Sequence, residues 1–177
     1  MGKLTKPAVI LSLILVTWAW LPRVWGQWPG SDGGAAWPPP AAQFLQEVAW
    51  GIYWLTNDQR QRWGLAALAW DESLAAAARW HSGDMLQRRF FSHDTPDGRS
   101  LTDRLAPGYT RAGENIWSGS GMNYGDSRLL AREIVTGWLA SPGHRANILD
   151  PGYTHLGVGI AAQGPEIRAT QDFVQAH

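Results

Sequence analysis

The C-terminal stretch limits the fold more than any other part of this sequence. "HLGVGIA" at 155–161 and "IRATQDFV" at 167–174 both read as strands, and Gln163-Gly164-Pro165-Glu166 between them supplies the turn, so together they predict an antiparallel hairpin. Glycine at 157 and 159 weakens a strand and marks close backbone packing there. The chain before the hairpin reads as helices. Phe44, Leu45, Val48, Ile52 and Leu55 form one apolar stripe on a helix ending before Gly64, with Trp50 and Trp54 beside it as packing or interface residues, or as a ligand platform. Asp71 is the N-cap of a second helix, "ESLAAAARWHSGDMLQRR", with Leu74, Ala77, Ala78, His81 and Met85 on one face and Arg88 and Arg89 suited to its C-terminal dipole. A third helix, Ser127 to Ala140, turns Leu129, Leu130, Ile134 and Trp138 inward. Helices preceding a mostly antiparallel sheet make an α+β layered domain.

The 177 residues are one domain by length, with enough chain for a proper core. Cysteine is absent, which excludes disulfides, thiolate catalysis and thiolate zinc sites together. Residues 1–26 read as a targeting segment: Lys3 and Lys6 precede the apolar stretch Ala8–Leu21, and Val24-Trp25-Gly26 suits a signal peptidase, with cleavage after Gly26. That stretch is short of the roughly 20 residues a span needs. The opposing reading is an uncleaved anchor, associated with a membrane through residues 8–21, with Trp18, Trp20 and Trp25 at the interface. Either way the domain is exported. Residues 27–40, "QWPGSDGGAAWPPP", are a linker by composition, and the domain runs from 41 to 177. Without residues 1–26 the chain keeps 12 basic residues, all arginine, against 15 acidic ones. No basic stripe survives, so a nucleic-acid partner has little electrostatic support.

Three polar residues stand where structure alone does not ask for them. His93 lies between Phe90-Phe91 and the turn Thr95-Pro96-Asp97-Gly98; Glu114 lies in a short extended piece, "AGENIW"; His144 follows the helix break in "GWLASPGHRANIL". Ser141 there is the N-cap of a second short helix with Pro142 at its first position, which explains the break and leaves the histidine unexplained. His81, on an apolar face, reads as a core-edge histidine with one satisfied nitrogen, against a ligand role.

These segments carry a resemblance. "NDQRQRWGL" (57–65), "WDESLAAAARWHSGDM" (70–85), "FFSH" (90–93), "DGRSLTDRL" (97–105), "GENI" (113–116), "WLASPGHRANIL" (138–149), "GVGIA" (157–161) and "TQDF" (170–173) stand in the order of bacterial CAP-superfamily domains, also called SCP-like domains. The resemblance implies a three-layer α-β-α sandwich with a central antiparallel sheet. It also implies a cleft holding a tetrad of two histidines and two acidic residues. Position by position, His93, Glu114 and His144 match three of the four; the second acidic position falls on Ser141, a departure from many eukaryotic members. The family's divalent cation between two histidines carries over to His93 and His144.

On their own chemistry, two neutral imidazoles and a carboxylate suit a zinc or similar divalent site with open positions, and suit equally a hydrogen-bonded network that stitches loops together. A hydrolase would use Glu114 or a histidine as general base on a water, or Ser141 or Ser92 as nucleophile, yet no oxyanion hole is evident. The other class is a binding module, because family members are associated with sterols, fatty acids, carbohydrate and protein partners. Trp117 after "GENI" would line the cleft, beside the flexible loop "SGSGMNYGD" at 118–126. The sequence therefore points to a secreted, extracytoplasmic CAP-domain module that binds a small molecule, glycan, lipid or protein in a cleft formed by His93, Glu114, Ser141, His144 and Trp117. Metal-assisted hydrolysis outside the cytoplasm is the alternative.

Overall fold

The computed structural model describes residues 41–120 and 125–176. The expected signal or anchor segment 1–26, the expected linker 27–40 and the final residue of the expected 41–177 domain lie outside the described residues. Helix α1 (Ala41–Arg62) buries Phe44, Val48 and Ile52 from its stripe, with Leu45 and Leu55 half-buried. After β1 (Ala69–Trp70), the Asp71 carboxylate accepts from the backbone N–H of Ser73 at 2.8 Å and Leu74 at 3.1 Å, capping α2 (Glu72–Gln87). A single turn, α3 (Leu101–Arg104), starts where the Ser100 N–H donates to Asp103 Oδ2 at 2.9 Å. Then come β2 (Tyr109–Ser120), α4 (Ser127–Ala140), α5 (Pro142–Ile148), β3 (His155–Gln163) and β4 (Glu166–Ala176).

The strands form one sheet in the order β1-β3-β4-β2. All pairings are antiparallel except that of the two-residue β1, which runs parallel to β3. One face packs on α1 and α4, where Ile52, Ile134, Trp138, Leu156, Val158 and Phe173 meet in a common core. The other face packs on α2, giving the α-β-α sandwich. Here the hairpin glycines have their reason: a Cβ on Gly157 would lie 2.2 Å from the Ala75 backbone N, and one on Gly159 would lie 1.9 Å from the Arg79 backbone N. Only glycine lets helix and strand backbones approach so closely.

Several local readings are corrected. Leu129 is 60% exposed, because α4 turns Leu130, Ala131, Ile134, Val135 and Trp138 to the core and leaves Leu129 a step around the helix. The extended piece around Glu114 is a 12-residue strand, and Ser118 to Ser120 of the supposed loop belong to it, because the edge strand takes its length from pairing with distant β4. Residues 121–124 lie outside the described residues. On α2, Ala75, Ser82 and Leu86 join the buried face while Ala77 is half-buried. Arg88 ends α2 as its C-cap, paired with Asp84 and with Asp97 at 2.8 Å, and Arg89 lies beyond it with a positive φ of 56°. Trp50 stacks on Trp70 with centroids 4.3 Å apart, whereas Trp54 is mostly exposed. Among the described residues no helix is long and apolar enough to cross a membrane.

Candidate functional site

Strand register sets the site. Glu114 on β2 pairs across the ladder with Asp172 on β4, and the pleat turns both side chains toward α2, the layer that carries His81. Both are buried, and a carboxylate at that depth persists only if partnered. Glu114 has two partners. His93 donates from Nδ1 to Oε1 at 2.8 Å, and Arg104 donates from Nη2 to Oε2. Arg104 also donates from Nη1 to the His93 carbonyl at 2.7 Å, so one buried guanidinium holds both the carboxylate and the loop bearing His93. His81 donates from Nε2 to the Ser92 carbonyl at 3.0 Å and stands 4.0 Å from Glu114 Oε2, while its Nδ1 has no partner among the described residues. That is the core histidine with one satisfied nitrogen.

The cluster shifts its own titrations. The bond to Glu114 raises His93, and burial lowers His81. Burial, then the neighbouring Glu114 charge, pushes Asp172 well above the usual carboxylate range. A protonated Asp172 avoids placing two buried negative charges side by side.

His144 arrives from the other side of β2 on α5, held by a chain of amides. Asn115 donates to the His144 carbonyl at 3.2 Å and to Gln171 Oε1 at 3.2 Å; Asn147 donates to the Glu114 carbonyl at 3.1 Å and to Asn115 Oδ1 at 2.9 Å; Gln171 donates to Thr56 Oγ1 at 2.9 Å. Buried Arg60 secures the far end of α5 through the carbonyls of Ile148 at 2.9 Å and Asp150 at 2.8 Å. Burial lowers the His144 pKa and the charge on His93 lowers it further, so the two rings feel one another. The His144 ring makes no hydrogen bond among the described residues, and His93 keeps Nε2 free of protein partners.

Residues 54–173 match the sequence model of CAP, the cysteine-rich secretory protein family. The chain belongs to the CAP family. It is similar to the Bacillus subtilis (strain 168) uncharacterized protein YkwD, 40% identical over 113 residues, and to the uncharacterized membrane protein YlbC of the same strain, 45% identical over 109 residues. These matches cover 62% and 60% of this chain but only 41% and 29% of those relatives. Among solved structures it is similar to an extracellular SCP-domain protein from Bacillus anthracis str. Ames, with a TM-score of 0.65 and 36% identity, over 80% of this chain and 45% of that one. The family name refers to cysteines that this CAP domain lacks.

One expected cleft residue faces away from the His93–Glu114 pair. Trp117 is three positions from Glu114, hence on the opposite face of β2, where it packs at the edge of the core beside Gly137 of α4. Ser141 occupies the N-cap position of α5, but its side chain makes no capping bond; the start of α5 rests on Pro142 and on the Ser141 carbonyl, which accepts from Arg145 N at 2.9 Å. Sequence reasoning missed Arg104 and Asp172, although both stand in motifs of the resemblance, "DGRSLTDRL" and "TQDF". The available signal was the need of a buried Glu114 for a cationic partner; nothing local named which arginine.

Proposed function

We propose that this CAP domain is an extracytoplasmic binding module. Residues 1–26 serve as its export signal or anchor, residues 27–40 as a linker, and residues 41–177 as the domain that receives a small molecule, glycan, lipid or protein beside His93 and His144. One observation carries the choice of binding over hydrolysis: neither candidate serine is held by a base, while Glu114 pairs with His93 through Oε1 and with Arg104 through Oε2. Glu114 orients His93 rather than facing a water itself, so a hydrolase built on this site would have to use His93 Nε2 as its base. Neither candidate serine has an activating base among the described residues: Ser141 Oγ has no partner there, and Ser92 Oγ accepts from the Asp94 N–H at 3.2 Å.

The donor set also bears on a divalent cation such as zinc. A histidine whose Nδ1–H is held by a carboxylate presents Nε2 as a ligand of fixed tautomer, so His93 Nε2 and a ring nitrogen of His144 fit the role, with Glu114 behind His93 rather than on the ion. No cluster of three or more histidine, cysteine, aspartate or glutamate side chains suited to a metal occurs among the described residues. Two protein ligands give a weak, exchangeable site. When bound, the ion would supply a Lewis-acidic contact for an oxygen-bearing ligand.

Native mass spectrometry of the exported protein purified from its own host, with and without chelator, tests the reading. Co-purifying lipid or glycan, or a partner protein, supports the binding module. Bare protein that cleaves peptides only when metal is restored overturns it in favour of the hydrolase. Zinc calorimetry tests the ion separately: His93→Ala and His144→Ala should each remove most of the affinity, and His81→Ala should spare it.

A further inference from the structure

Beyond Phe90, away from the His93–Glu114 pair, lies a cavity of about 570 Å³ between the end of α2 and the β3–β4 turn, lined in part by Leu86, Arg89, Phe90, Phe91, Glu166 and Arg168. Arg168 and Asp172 are four residues apart on β4, about 13 Å along the strand, so this cavity and the buried carboxyl pair are separate places. We propose that the cavity is a binding site for an organic anion with a carboxylate head and an aromatic or apolar body, its head between Arg89 and Arg168 and its body against Phe91.

The backbone at Arg89 is the first reason. The end of α2 is a Schellman cap: Phe90 N–H donates to the Met85 carbonyl at 3.0 Å and Arg89 N–H to the Leu86 carbonyl at 3.4 Å. In that motif the left-handed residue is ordinarily glycine, because a Cβ there is strained, yet this chain places arginine at φ 56°. The cap itself does not need the side chain. Its neighbour Arg88 is neutralised by Asp84 and Asp97, whereas the Arg89 guanidinium makes no hydrogen bond or ion pair among the described residues. A left-handed arginine with an unpaired guanidinium is an outlier that a ligand contact would account for.

The opposite wall supplies the second cation. Arg168 is largely buried, its Nε has no partner, and its bonds are to the Ile167 carbonyl at 3.0 Å and to Glu166 Oε2 at 3.5 Å. Glu166 is half exposed and holds Arg168 at the limit of hydrogen-bond length, so a better-placed carboxylate displaces it at little cost. Phe91 is 51% exposed, an aromatic face without cover at the edge of the same cavity. The volume is within the range of small-molecule sites.

The test compares 2-naphthoate with its neutral twin 2-naphthamide by calorimetry on the whole protein. Naphthoate should bind about tenfold tighter or more, the value of a charge-assisted bond. Arg89→Gly carries the sharper expectation: it removes the charge and relieves the strained cap, so naphthoate affinity should fall about tenfold while the Tm stays equal or rises. Glu166→Gln, which removes the competing carboxylate, should tighten naphthoate, and His93→Ala should leave it unchanged. Equal affinity for the two probes, no naphthoate binding, retention of affinity in Arg89→Gly, or a lower Tm in that variant would each overturn the proposal.

Discussion

Replacing Arg104 by methionine isolates what the buried charge cluster is worth. The Arg104 and Glu114 side chains are 2% and 3% exposed, so the variant leaves a buried carboxylate with no cationic partner, held by His93 and beside the Asp172 carboxyl, and deprives the His93 carbonyl of a donor at 2.7 Å. Removing one member of a buried ion pair costs about 3–5 kcal/mol, chiefly by stranding the other charge. The lost bond to the carbonyl adds about 1 kcal/mol, and the methionine stem recovers part of the packing. Against a total stability of about 5–15 kcal/mol for a domain, the single variant should be near unfolding. Arg104→Met/Glu114→Gln removes the stranded charge while an amide oxygen still accepts from His93, so it should recover about 2–3 kcal/mol relative to the single variant. Urea denaturation of the wild type, Arg104→Met, Glu114→Gln and the double variant at pH 7 gives the cycle. A loss below about 1 kcal/mol for Arg104→Met, or no recovery in the double variant, would falsify the assignment of Glu114 as a buried anion held by Arg104.

Four further outcomes follow from particular contacts. Gly159→Ala must push α2 off the sheet to place its Cβ, and should cost about 3 kcal/mol or more by thermal denaturation, whereas Gly164→Ala, with open space around it, is limited to the strain of φ 57°. Ser141→Ala should change stability by no more than about 0.5 kcal/mol, since no side-chain capping bond is lost; a drop of about 1 kcal/mol would restore the cap. In NMR titrations His93 should titrate above, and His144 below, the ordinary value of about 6.5. The stability that His93 contributes is therefore complete below about 6.5 and lost as pH rises through its folded value, and zinc affinity should weaken on acidification as His93 takes its proton first. Asp172 has a folded pKa above its unfolded value of about 3.9, so its ionisation destabilises the fold as pH rises, and Asp172→Asn should raise the Tm at pH 7 and flatten the dependence above pH 4.

Local chemistry determined much of this protein before any contact was known. Asp71 as a cap, the limits of α4 at Ser127 and Ala140, the break at Ser141-Pro142 and the hairpin around Gly164-Pro165 are written within a few residues of where they act. The family motifs singled out His93, Glu114 and His144 in the same way. Tertiary structure decided the rest, because register and partnership join residues far apart in the chain. Pairing with β4 extended β2 to 12 residues, set Glu114 beside Asp172 and turned Trp117 to the other face of the strand. A one-turn helix brought Arg104 to Glu114, which makes that glutamate a buried anchor of His93. Sequence announces that a buried carboxylate needs a cation; only the packing of α3 against β2 chooses which one.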